Sequence, residues 1–409
     1  MKGCGVTSIK ANKIPTANQR ERIIKALEAN DSLELYQLGP IVGKGQFGQV
    51  RTSIHRLSQQ KVALKVFSKV KAVVVNQIQC IKKEIDIMKE IDHPSIVRLY
   101  EIIETKDHIT IVMEYCEGED LASYIHRRVK LDENLVCALF RQITDAIAYL
   151  HRKSIIHRDI KPQNIIVQEH NSNVIVKLVD FGLGARDPTT LCKLTAFCGT
   201  PAFMAPEIIA QKQYDGKPVD AWSLGVLLFY MVTGKVPFEA PTSAELYPKI
   251  SRGVFEIPAY ISTRLSDLLR SILVIDAERR LSVDQIRHHP WLYIEEQQRN
   301  TRIPVLLASL TSLFVADAAI HRAILSEMAI YGLKKEDILD DLASKTYNGV
   351  TAWYRLLHLQ NLKNKSRPSS TPATLMRSES KSTSLTSEEF SRFLQEKFNK
   401  AKNKIDLNQ

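Results

Sequence analysis

Two short polar runs near the middle of the chain carry side chains suited to proton transfer and metal binding. The run IIHRDIKPQNII holds Asp159, Lys161 and Asn164, and the run VDFGLG holds Asp180. A carboxylate such as Asp159 can accept the proton of an attacking hydroxyl, while the ammonium group of Lys161 can neutralise charge on a transferred group. Asn164 and Asp180 offer the oxygen ligands that Mg²⁺ prefers. This pattern predicts phosphoryl transfer, a reaction that depends mainly on positioning and electrostatic stabilisation.

A glycine-rich run nearer the amino-terminal end predicts a nucleotide-binding loop. In GKGQFGQV, the residues Gly43, Gly45, Gly48 and Val50 form the pattern G-x-G-x-x-G-x-V. Glycine has no Cβ, so its backbone can come close to phosphate groups. By itself the run fits an ordinary glycine-rich hairpin equally well. A dinucleotide site would need a helix directly after the glycines, but RTSIH continues as a strand, which favours a loop over the phosphates of a nucleoside triphosphate.

Lys65 lies inside an apolar strand, VALKV, where an ammonium group without a partner would be costly to bury. The helix that follows supplies Glu84 as the natural partner. We expect this pair to hold Lys65 against the α- and β-phosphates of a bound nucleotide. Taken singly, Glu84 would be an ordinary acid on a helix surface, and only the combination of motifs favours the functional interpretation.

These candidate residues need a scaffold, and the hydrophobic pattern predicts a strand-rich part followed by a helix-rich part. Strands are expected in YQLGPIVGKGQFGQVRTSIH, QKVALKVFSK and HITIVMEY. In NQIQCIKKEIDIMKEI, Ile78, Ile81, Ile85 and Met88 recur at helical spacing. Beyond Leu121, helical patterns dominate. The predicted fold class is therefore α+β, with two lobes and a cleft between them.

Composition indicates an intracellular globular protein. The six cysteines among 409 residues are scattered, which is typical of a reduced protein without structural disulfides or zinc. The longest uncharged apolar runs are too short to span a bilayer. We therefore expect a cytoplasmic location, with access to the nucleus left open.

The basic excess of the chain lies mainly at its two ends. Of the net charge of +11, residues 1–31 carry +3 and residues 361–409 carry +5. Solvated tails are the ordinary interpretation, and contact with an anionic membrane surface is the alternative. The basic segments lack interleaved aromatic residues, so nucleic-acid binding is not expected.

Taken in order, these motifs resemble those of the eukaryotic protein kinases. The glycine-rich loop, Lys65, HRD (157–159), DFG (180–182), APE (205–207) and D-x-W-x-x-G from Asp220 are all present in register. The resemblance covers about residues 36–292. It implies a bilobal kinase fold, with an N-lobe over 36–116 and a C-lobe over 117–292, and ATP and Mg²⁺ as cofactors.

The resemblance also implies roles for individual residues. Asp159 would be the base, Lys161, Asn164 and Thr200 would complete the catalytic set, and Asn164 and Asp180 would bind the metal. Met88, Leu99, His157 and Phe181 would form the apolar spine of the active state. The residues implied to bind ATP are Val42, Gly43, Lys44, Gly45, Gln46, Phe47, Gly48, Gln49, Val50, Ala63, Lys65, Glu84, Met113, Glu114, Cys116, Asp120 and Ile166.

Lys161 in HRDIKPQN and Thr200 in GTPAF resemble the serine/threonine type of kinase, so protein substrates with serine or threonine acceptors are implied. Asp120 can attract a basic substrate residue upstream of the acceptor. Many basophilic relatives carry a second acid where this chain has Gln163, and its absence weakens the expected preference for arginine.

Composition and periodicity indicate how the segments outside the kinase-like body are organised. Residues 1–31 are expected to be a peripheral extension, with a short helix near 19–29. Residues 318–360 resemble the three-helix ubiquitin-associated-like module of AMP-activated and microtubule-affinity-regulating kinases, of the calcium/calmodulin-dependent group; an unrelated three-helix bundle is the alternative. Residues 362–387 have the composition of a disordered linker. Residues 387–405 are expected to form an amphipathic helix.

The run LTAFCGTPAFMAPE raises a question about regulation. Relatives carry an activating threonine three residues before the glycine, but this chain has Ala196 there. Thr195 is the expected phosphosite of an upstream kinase, with Arg158 and Arg186 binding its phosphate. Activation without this phosphate, through docking of residues 318–360, is the rival hypothesis. A further implied contact joins Glu207 to Arg280 beneath the activation segment.

Two other functions remain to be weighed against an active kinase. A pseudokinase scaffold would lack Lys65, Asp159 or Asp180, and all three are present. An adaptor that binds ubiquitin through residues 318–360 is the other alternative, and titration with ubiquitin distinguishes it.

Overall fold

The computed structural model describes residues 16–28, 32–44, 48–74, 78–128, 130–170, 173–186, 199–211, 213–293 and 318–365. Several predictions fall outside these ranges. They concern Gly45, Gln46 and Phe47 of the glycine-rich run, Thr195 as a phosphosite, most of the linker expected over 362–387, and the helix expected over 387–405.

The strands of the described residues are mostly short and antiparallel. They are β1 (Tyr36–Lys44), β2 (Gly48–His55), β3 (Lys61–Ser68), β4 (Leu99–Glu104), β5 (His108–Glu114), β6 (Glu119–Asp120), β7 (Ile155–Ile156), β8 (Ile165–His170), β9 (Asn173–Leu178) and β10 (Ala185–Arg186). Short 3₁₀ helices span Ser32–Leu35, Pro162–Asn164 and Pro201–Phe203.

The α-helices of the described residues dominate the second half of the chain. They are α1 (Ala17–Glu28), α2 (Lys69–Val74), α3 (Ile78–Glu90), α4 (Leu121–Arg128), α5 (Glu133–Arg152), α6 (Pro206–Ile209), α7 (Gly216–Thr233), α8 (Ser243–Arg252), α9 (Thr263–Ile272), α10 (Val283–Arg287), α11 (Pro290–Tyr293), α12 (Ala318–Ala329), α13 (Lys335–Ala343) and α14 (Gly349–Lys365).

The chain divides into two compact units, which are described separately. The sheet unit comprises Met1–Asn76, Leu99–Tyr115 and Ala308–Gln409, and the helical unit comprises Gln77–Arg98 and Cys116–Leu307. The sheet unit is built on a five-stranded antiparallel sheet with the order β1-β2-β3-β5-β4. Strand β4 therefore lies at one edge of this sheet.

Helix α1 is packed into the sheet unit, so this described part of residues 1–31 is not peripheral, contrary to what the sequence led us to expect. Ile23 and Leu27 of α1 are buried in one apolar core with Leu64 and Val112 of the sheet. Helix α1 begins at Ala17 because Thr16 supplies its cap: the Thr16 hydroxyl accepts from the Gln19 N–H, and the Gln19 side chain accepts from the Thr16 N–H. Apolar residues at helical spacing then make the buried face.

The carboxy-terminal part of the sheet unit contains three helices, α12, α13 and α14, over the residues expected to form a helical module. Trp353 and Tyr354 of α14 are fully buried in the same core as the sheet. Helix α14 continues to Lys365, so the first residues assigned to the linker from 362 are helical. The Asn361 side chain donates to the Leu357 carbonyl within this last part of the helix.

The helical unit is organised around α5 and α7. Helix α7 is buried on nearly all sides, which explains its almost uniformly apolar sequence, and it ends at Gly234 with a left-handed φ of 73°. Helix α5 begins after Asp132, whose side chain accepts from the Asn134 N–H. Two small sheets, β6-β8-β9 and β7-β10, also belong to this unit. Asp159 lies in the connection between β7 and β8, and Asp180 lies in the connection between β9 and β10. Among the described helices, none has the length and apolar character that a membrane crossing requires.

Candidate active site

The carboxylate of Asp159 is the centre of a small polar cluster in the helical unit. Its Oδ1 accepts a hydrogen bond from the Thr200 hydroxyl at 3.0 Å, and its Oδ2 lies 2.7 Å from the Lys161 ammonium nitrogen. Lys161 also donates to the Thr200 hydroxyl at 3.0 Å. The three residues predicted to act together are thus joined in one hydrogen-bonded triangle, although Thr200 is remote from the other two in sequence.

Asn164 is a further donor to the same carboxylate. Its amide nitrogen donates to the Asp159 backbone carbonyl at 2.9 Å and to Asp159 Oδ2 at 3.0 Å. The residue is buried at the end of the 3₁₀ helix Pro162–Asn164, which Pro162 starts. Its backbone carbonyl accepts from the Val179 N–H at 3.0 Å, so this bond ties the Asp159 loop to the loop of Asp180.

Asp180 follows strand β9 and begins a tight turn. Its Oδ1 accepts from the Gly182 N–H at 3.1 Å. The next side chain, Phe181, is buried and packs on His157, with ring centroids 5.3 Å apart. A Cβ on Gly182 would lie 3.4 Å from Asp180 Oδ1 and 3.8 Å from Glu84 Oε2, so α3 and this turn are close neighbours within the helical unit.

Asp220 anchors the backbone of the Asp159 loop. It is fully buried on α7, and its two oxygens accept from the backbone N–H groups of His157 and Arg158 at 2.9 and 2.8 Å. Its Oδ2 also lies 2.8 Å from His151 Nε2. The sequence placed Asp220 in a motif but gave no role to His151. His151 belongs to no motif in the sequence, so its contact with Asp220 could not have been predicted.

Arg158 adopts a left-handed backbone conformation, with φ of 64°, which is strained for a residue with a side chain. The bond from its N–H to Asp220 stabilises this conformation. The Arg158 side chain donates to the Leu183 carbonyl at 2.7 Å, so it contacts the turn that begins at Asp180.

Two pKa shifts follow from this burial. Burial lowers the pKa of His157, although the carboxylates of Asp220, Asp159 and Asp180 oppose the shift, so the ring is held neutral. Burial alone would raise the pKa of Asp220, but the hydrogen bond and charge of His151 and the bond from the His157 backbone lower it below its ordinary value. The anchor of the loop is therefore an ionised carboxylate with all its bonds satisfied by fixed donors.

Glu207 and Arg280 form a bidentate pair in the helical unit. The two guanidinium nitrogens lie 2.7 and 3.0 Å from the two carboxylate oxygens. The Arg280 side chain has no exposed surface, stacks 5.0 Å from the Trp222 ring, and donates to the carbonyls of Pro218, Val274 and Ile275. This is the contact that the resemblance implied. Arg186, the other predicted regulatory arginine, lies on β10 opposite Ile155.

In the sheet unit, four of the residues implied to bind ATP share one face of the sheet. Val50 is paired with Lys65 across β2 and β3, and Ala63 is paired with Met113 across β3 and β5. Lys65 and Ala63 are two residues apart, so their side chains point to the same side. These four positions supply three apolar side chains and the cation of Lys65, which suits an aromatic ring next to phosphates.

The structure of the glycine-rich hairpin shows why position 48 is a glycine, which the sequence alone did not explain. A Cβ there would lie 2.4 Å from the Val66 carbonyl oxygen, so glycine is required by the neighbouring strand itself. Gly43 has more space, with Val50 Cβ at 3.7 Å. Lys44 is paired with Gln49 across the hairpin, and Val42 is 55% exposed.

The remaining predicted residues divide between the two units. Lys65 lies on β3 of the sheet unit and Glu84 on α3 of the helical unit, so their pairing stays a prediction. Glu114 ends β5 in the sheet unit, and Cys116 begins the second segment of the helical unit. Asp120 on β6 is paired with Ile166 on β8. Both Asp120 oxygens accept from Ser123, which makes Asp120 a cap for α4.

The oxygen ligands offered by Asp180 and Asn164 suit Mg²⁺, which needs few protein ligands, better than a metal that is coordinated entirely by protein side chains. Among the described residues, no three His, Cys, Asp or Glu side chains are grouped closely enough to hold an ion. Mg²⁺ commonly takes only one or two carboxylates and completes its shell with substrate phosphates and water. Asp180 offers such a carboxylate. Because the nitrogen of the Asn164 amide faces Asp159, its carbonyl oxygen faces the other way.

Comparison with known proteins gives a consistent result. The family model for the protein kinase domain matches residues 36–292. The SNF1-related protein kinase catalytic subunit alpha KIN12 of Arabidopsis thaliana is 34% identical over 326 residues, which cover 79% of this chain and 63% of that protein. The maternal embryonic leucine zipper kinase of Xenopus tropicalis is 36% identical over 328 residues, which cover 80% of this chain and 48% of that protein. The chain thus spans about half to two thirds of the length of these relatives.

These matches confirm the predicted α+β fold class and the family resemblance stated from the motifs. They do not bear on the ubiquitin-associated-like character of residues 318–360, which stays a prediction.

Proposed function

This chain belongs to the protein kinase family, and we propose that it is an active kinase that phosphorylates serine and threonine residues of proteins with ATP. The single observation that carries the proposal is the cluster around Asp159. In it, a carboxylate, an ammonium group, a hydroxyl and an amide from separate positions in the chain converge within hydrogen-bonding distance.

The proposed reaction assigns one task to each member of the cluster. Asp159 receives the proton of the substrate hydroxyl while the new oxygen–phosphorus bond forms and the bond to the leaving ADP breaks. Lys161 places positive charge beside Asp159, where it can stabilise charge on the transferred group. Thr200 and Asn164 keep the carboxylate in one orientation, because each donates to it.

ATP and Mg²⁺ are the cofactors of this proposal. When bound, Mg²⁺ would neutralise the negative charge that develops on the phosphates during transfer. Asp180 and Asn164 would hold the metal. Val50, Ala63 and Met113 would contact the adenine, and Lys65 would contact the phosphates, since these four share one face of the sheet.

We propose protein substrates with serine or threonine acceptors, with a weak preference for upstream basic residues. Asp120 remains the candidate for that preference, but its two oxygens already accept from Ser123, and position 163 is a glutamine. A cytoplasmic location and activation by an upstream kinase are further parts of the proposal, and each rests on the sequence alone.

A phosphorylation assay with a generic basic peptide tests the proposal. We expect ATP-dependent and Mg²⁺-dependent transfer, reduced about 100-fold or more by Asp180→Ala because a metal ligand is lost. Asp86→Ala, at an exposed position on α3, serves as the matched control and should leave the rate unchanged. A wild-type protein that stays inert toward several basic peptides after treatment with an upstream kinase would contradict the proposal.

A further inference from the structure

Segments from both ends of the sequence meet at the edge strand β4. The Ile102 N–H donates to the Tyr347 carbonyl at 3.2 Å, which extends the sheet edge by one backbone hydrogen bond. Arg355 donates to the Tyr100 carbonyl at 3.1 Å and to the Thr346 carbonyl at 3.3 Å, and its guanidinium lies 4.3 Å from the Tyr347 ring. The helices α12, α13 and α14, here called the carboxy-terminal module, therefore cover backbone groups that an exposed edge would offer to other chains.

Helix α1 lies against this module at two glycines. A Cβ on Gly349 would be 3.0 Å from Leu27 Cδ2, and a Cβ on Gly332 would be 3.2 Å from Ile24 Cδ1. Gly349 is the first residue of α14, and Gly332 lies between α12 and α13 with a left-handed φ of 94°. Both sites permit a close approach of α1, so the module contacts α1 as well as β4.

A buried carboxylate connects the three parts. Glu101 on β4 is 2% exposed, its Oε2 accepts from the Tyr36 hydroxyl at 2.5 Å, and its Oε1 accepts from the Ser32 hydroxyl. The same Oε1 would lie 3.4 Å from a Cβ on Gly349, so the carboxyl group lies beside the first turn of α14. Thus Ser32, directly after α1, and the start of α14 share one partner on the edge strand.

We propose that α1 and the 3₁₀ helix Ser32–Leu35 form an amino-terminal clasp that fastens the carboxy-terminal module onto β4, and that the clasp opens without unfolding of the sheet. A helix of 12 residues has little stability of its own, so α1 persists through its contacts. Those contacts depend on few side chains, chiefly Ile23 and Leu27, whereas Leu64 and Val112 lie on central strands. Segments with few buried contacts open at lower free energy than the core.

Hydrogen exchange in the full-length protein tests the clasp directly, because the Ile102 amide reports on the module and the Leu64 and Val112 amides report on the sheet. In Leu27→Asp, we expect exchange at Ile102 to rise at least tenfold while Leu64 and Val112 keep their protection. Lys25→Ala, at an exposed position on the same helix, is the matched control and should leave Ile102 protected.

Two results would overturn the clasp. In the first, α1 amides exchange freely in Leu27→Asp but Ile102 stays protected, which would show that the module holds without α1. In the second, Leu64 and Val112 lose protection together with Ile102, which would make α1 an inseparable part of the sheet core. Leu27→Ala perturbs the helix less than Leu27→Asp and allows the same comparison of Ile102 with Leu64 and Val112.

Addition of a peptide of residues 12–35 should restore the protection of the Ile102 amide in Leu27→Asp. Hydrogen exchange reports on this contact whether or not the kinase is active.

Discussion

The carboxylate of Asp159 accepts from three side-chain donors, which together hold it in one orientation. Thr200 holds Oδ1, Lys161 and Asn164 hold Oδ2, and the Asp220 bonds to the preceding backbone fix the loop itself. A base is effective when it is positioned before the reaction begins. The burial of Asp220 and the strained backbone of Arg158 are the costs of that positioning.

Glu101 gives a prediction for the dependence of stability on pH. Burial raises the pKa of this carboxyl, and the hydrogen bonds from Ser32 and Tyr36 only partly oppose the shift. The folded protein therefore binds this proton more tightly than the unfolded chain does. Its contribution to stability is complete below the ordinary pKa of about 4.3 and is lost as the pH rises through the higher, folded pKa.

Glu101→Gln should accordingly remove the part of the decline in stability that lies between the ordinary pKa and the raised pKa of the folded protein. Denaturant titrations of the full-length protein at several pH values between about 4 and 8 measure this slope. Glu104→Gln, on the exposed end of the same strand, is the control. Parallel pH profiles for wild type and Glu101→Gln would show that the carboxyl does not contribute.

At the scale of elements, the Glu207–Arg280 pair joins the start of α6 to the loop before α10. The guanidinium is fully buried, so removal of its partner leaves an uncompensated charge. We expect Glu207→Gln to lower the free energy of unfolding of the helical unit by about 3–5 kcal/mol. Thermal or denaturant unfolding checks the value.

The neighbouring arginine supplies the control for this pair. Arg279 is 83% exposed and forms an ion pair with Asp276, so Arg279→Ala should change stability by no more than about 0.5 kcal/mol. Equal effects of Glu207→Gln and Arg279→Ala would mean that the buried pair adds no stability of its own.

Elements with a strong local pattern were predictable from the sequence, and long-range contacts were not. The apolar run VALKV and the helical spacing of Ile81 and Ile85 predict β3 and α3, because each pattern is local. Helix α1 was expected from its spacing, but its burial was not, since the surface that covers Ile23 and Leu27 comes from the other end of the chain.

The candidate site shows the same division. Asp159, Lys161 and Asn164 are close in sequence, so their common role could be predicted from spacing. Away from that site, Ser32 and Tyr36 lie 69 and 65 residues from their partner Glu101 in sequence and have no motif, so only the fold reveals these contacts. Gly48 was assigned to phosphate binding, yet the Val66 carbonyl alone requires a glycine there.

At the scale of the whole molecule, regulation is the open part of the proposal. Thr195 is outside the described residues, and we propose it as the phosphosite because Ala196 has no hydroxyl. Treatment of the protein with an upstream kinase should then raise the rate of peptide phosphorylation in wild type but not in Thr195→Ala. Thr200 is not a substitute, since its hydroxyl is bound to Asp159.

Phosphosite mapping by mass spectrometry accompanies that assay, with Thr189→Ala as the matched control. Full activation of Thr195→Ala would favour the rival hypothesis, in which docking of residues 318–360 sets the active state.

The most direct test of the central claim is the steady-state rate of peptide phosphorylation by Asp159→Asn. Asparagine keeps the size of the side chain but cannot accept the substrate proton in the same way. The account predicts a fall in kcat of about 100- to 10,000-fold with unchanged affinity for ATP, because Asp159 is not among the residues assigned to ATP. A kcat close to that of wild type, with the protein folded and ATP bound, would contradict the assignment of Asp159 as the base.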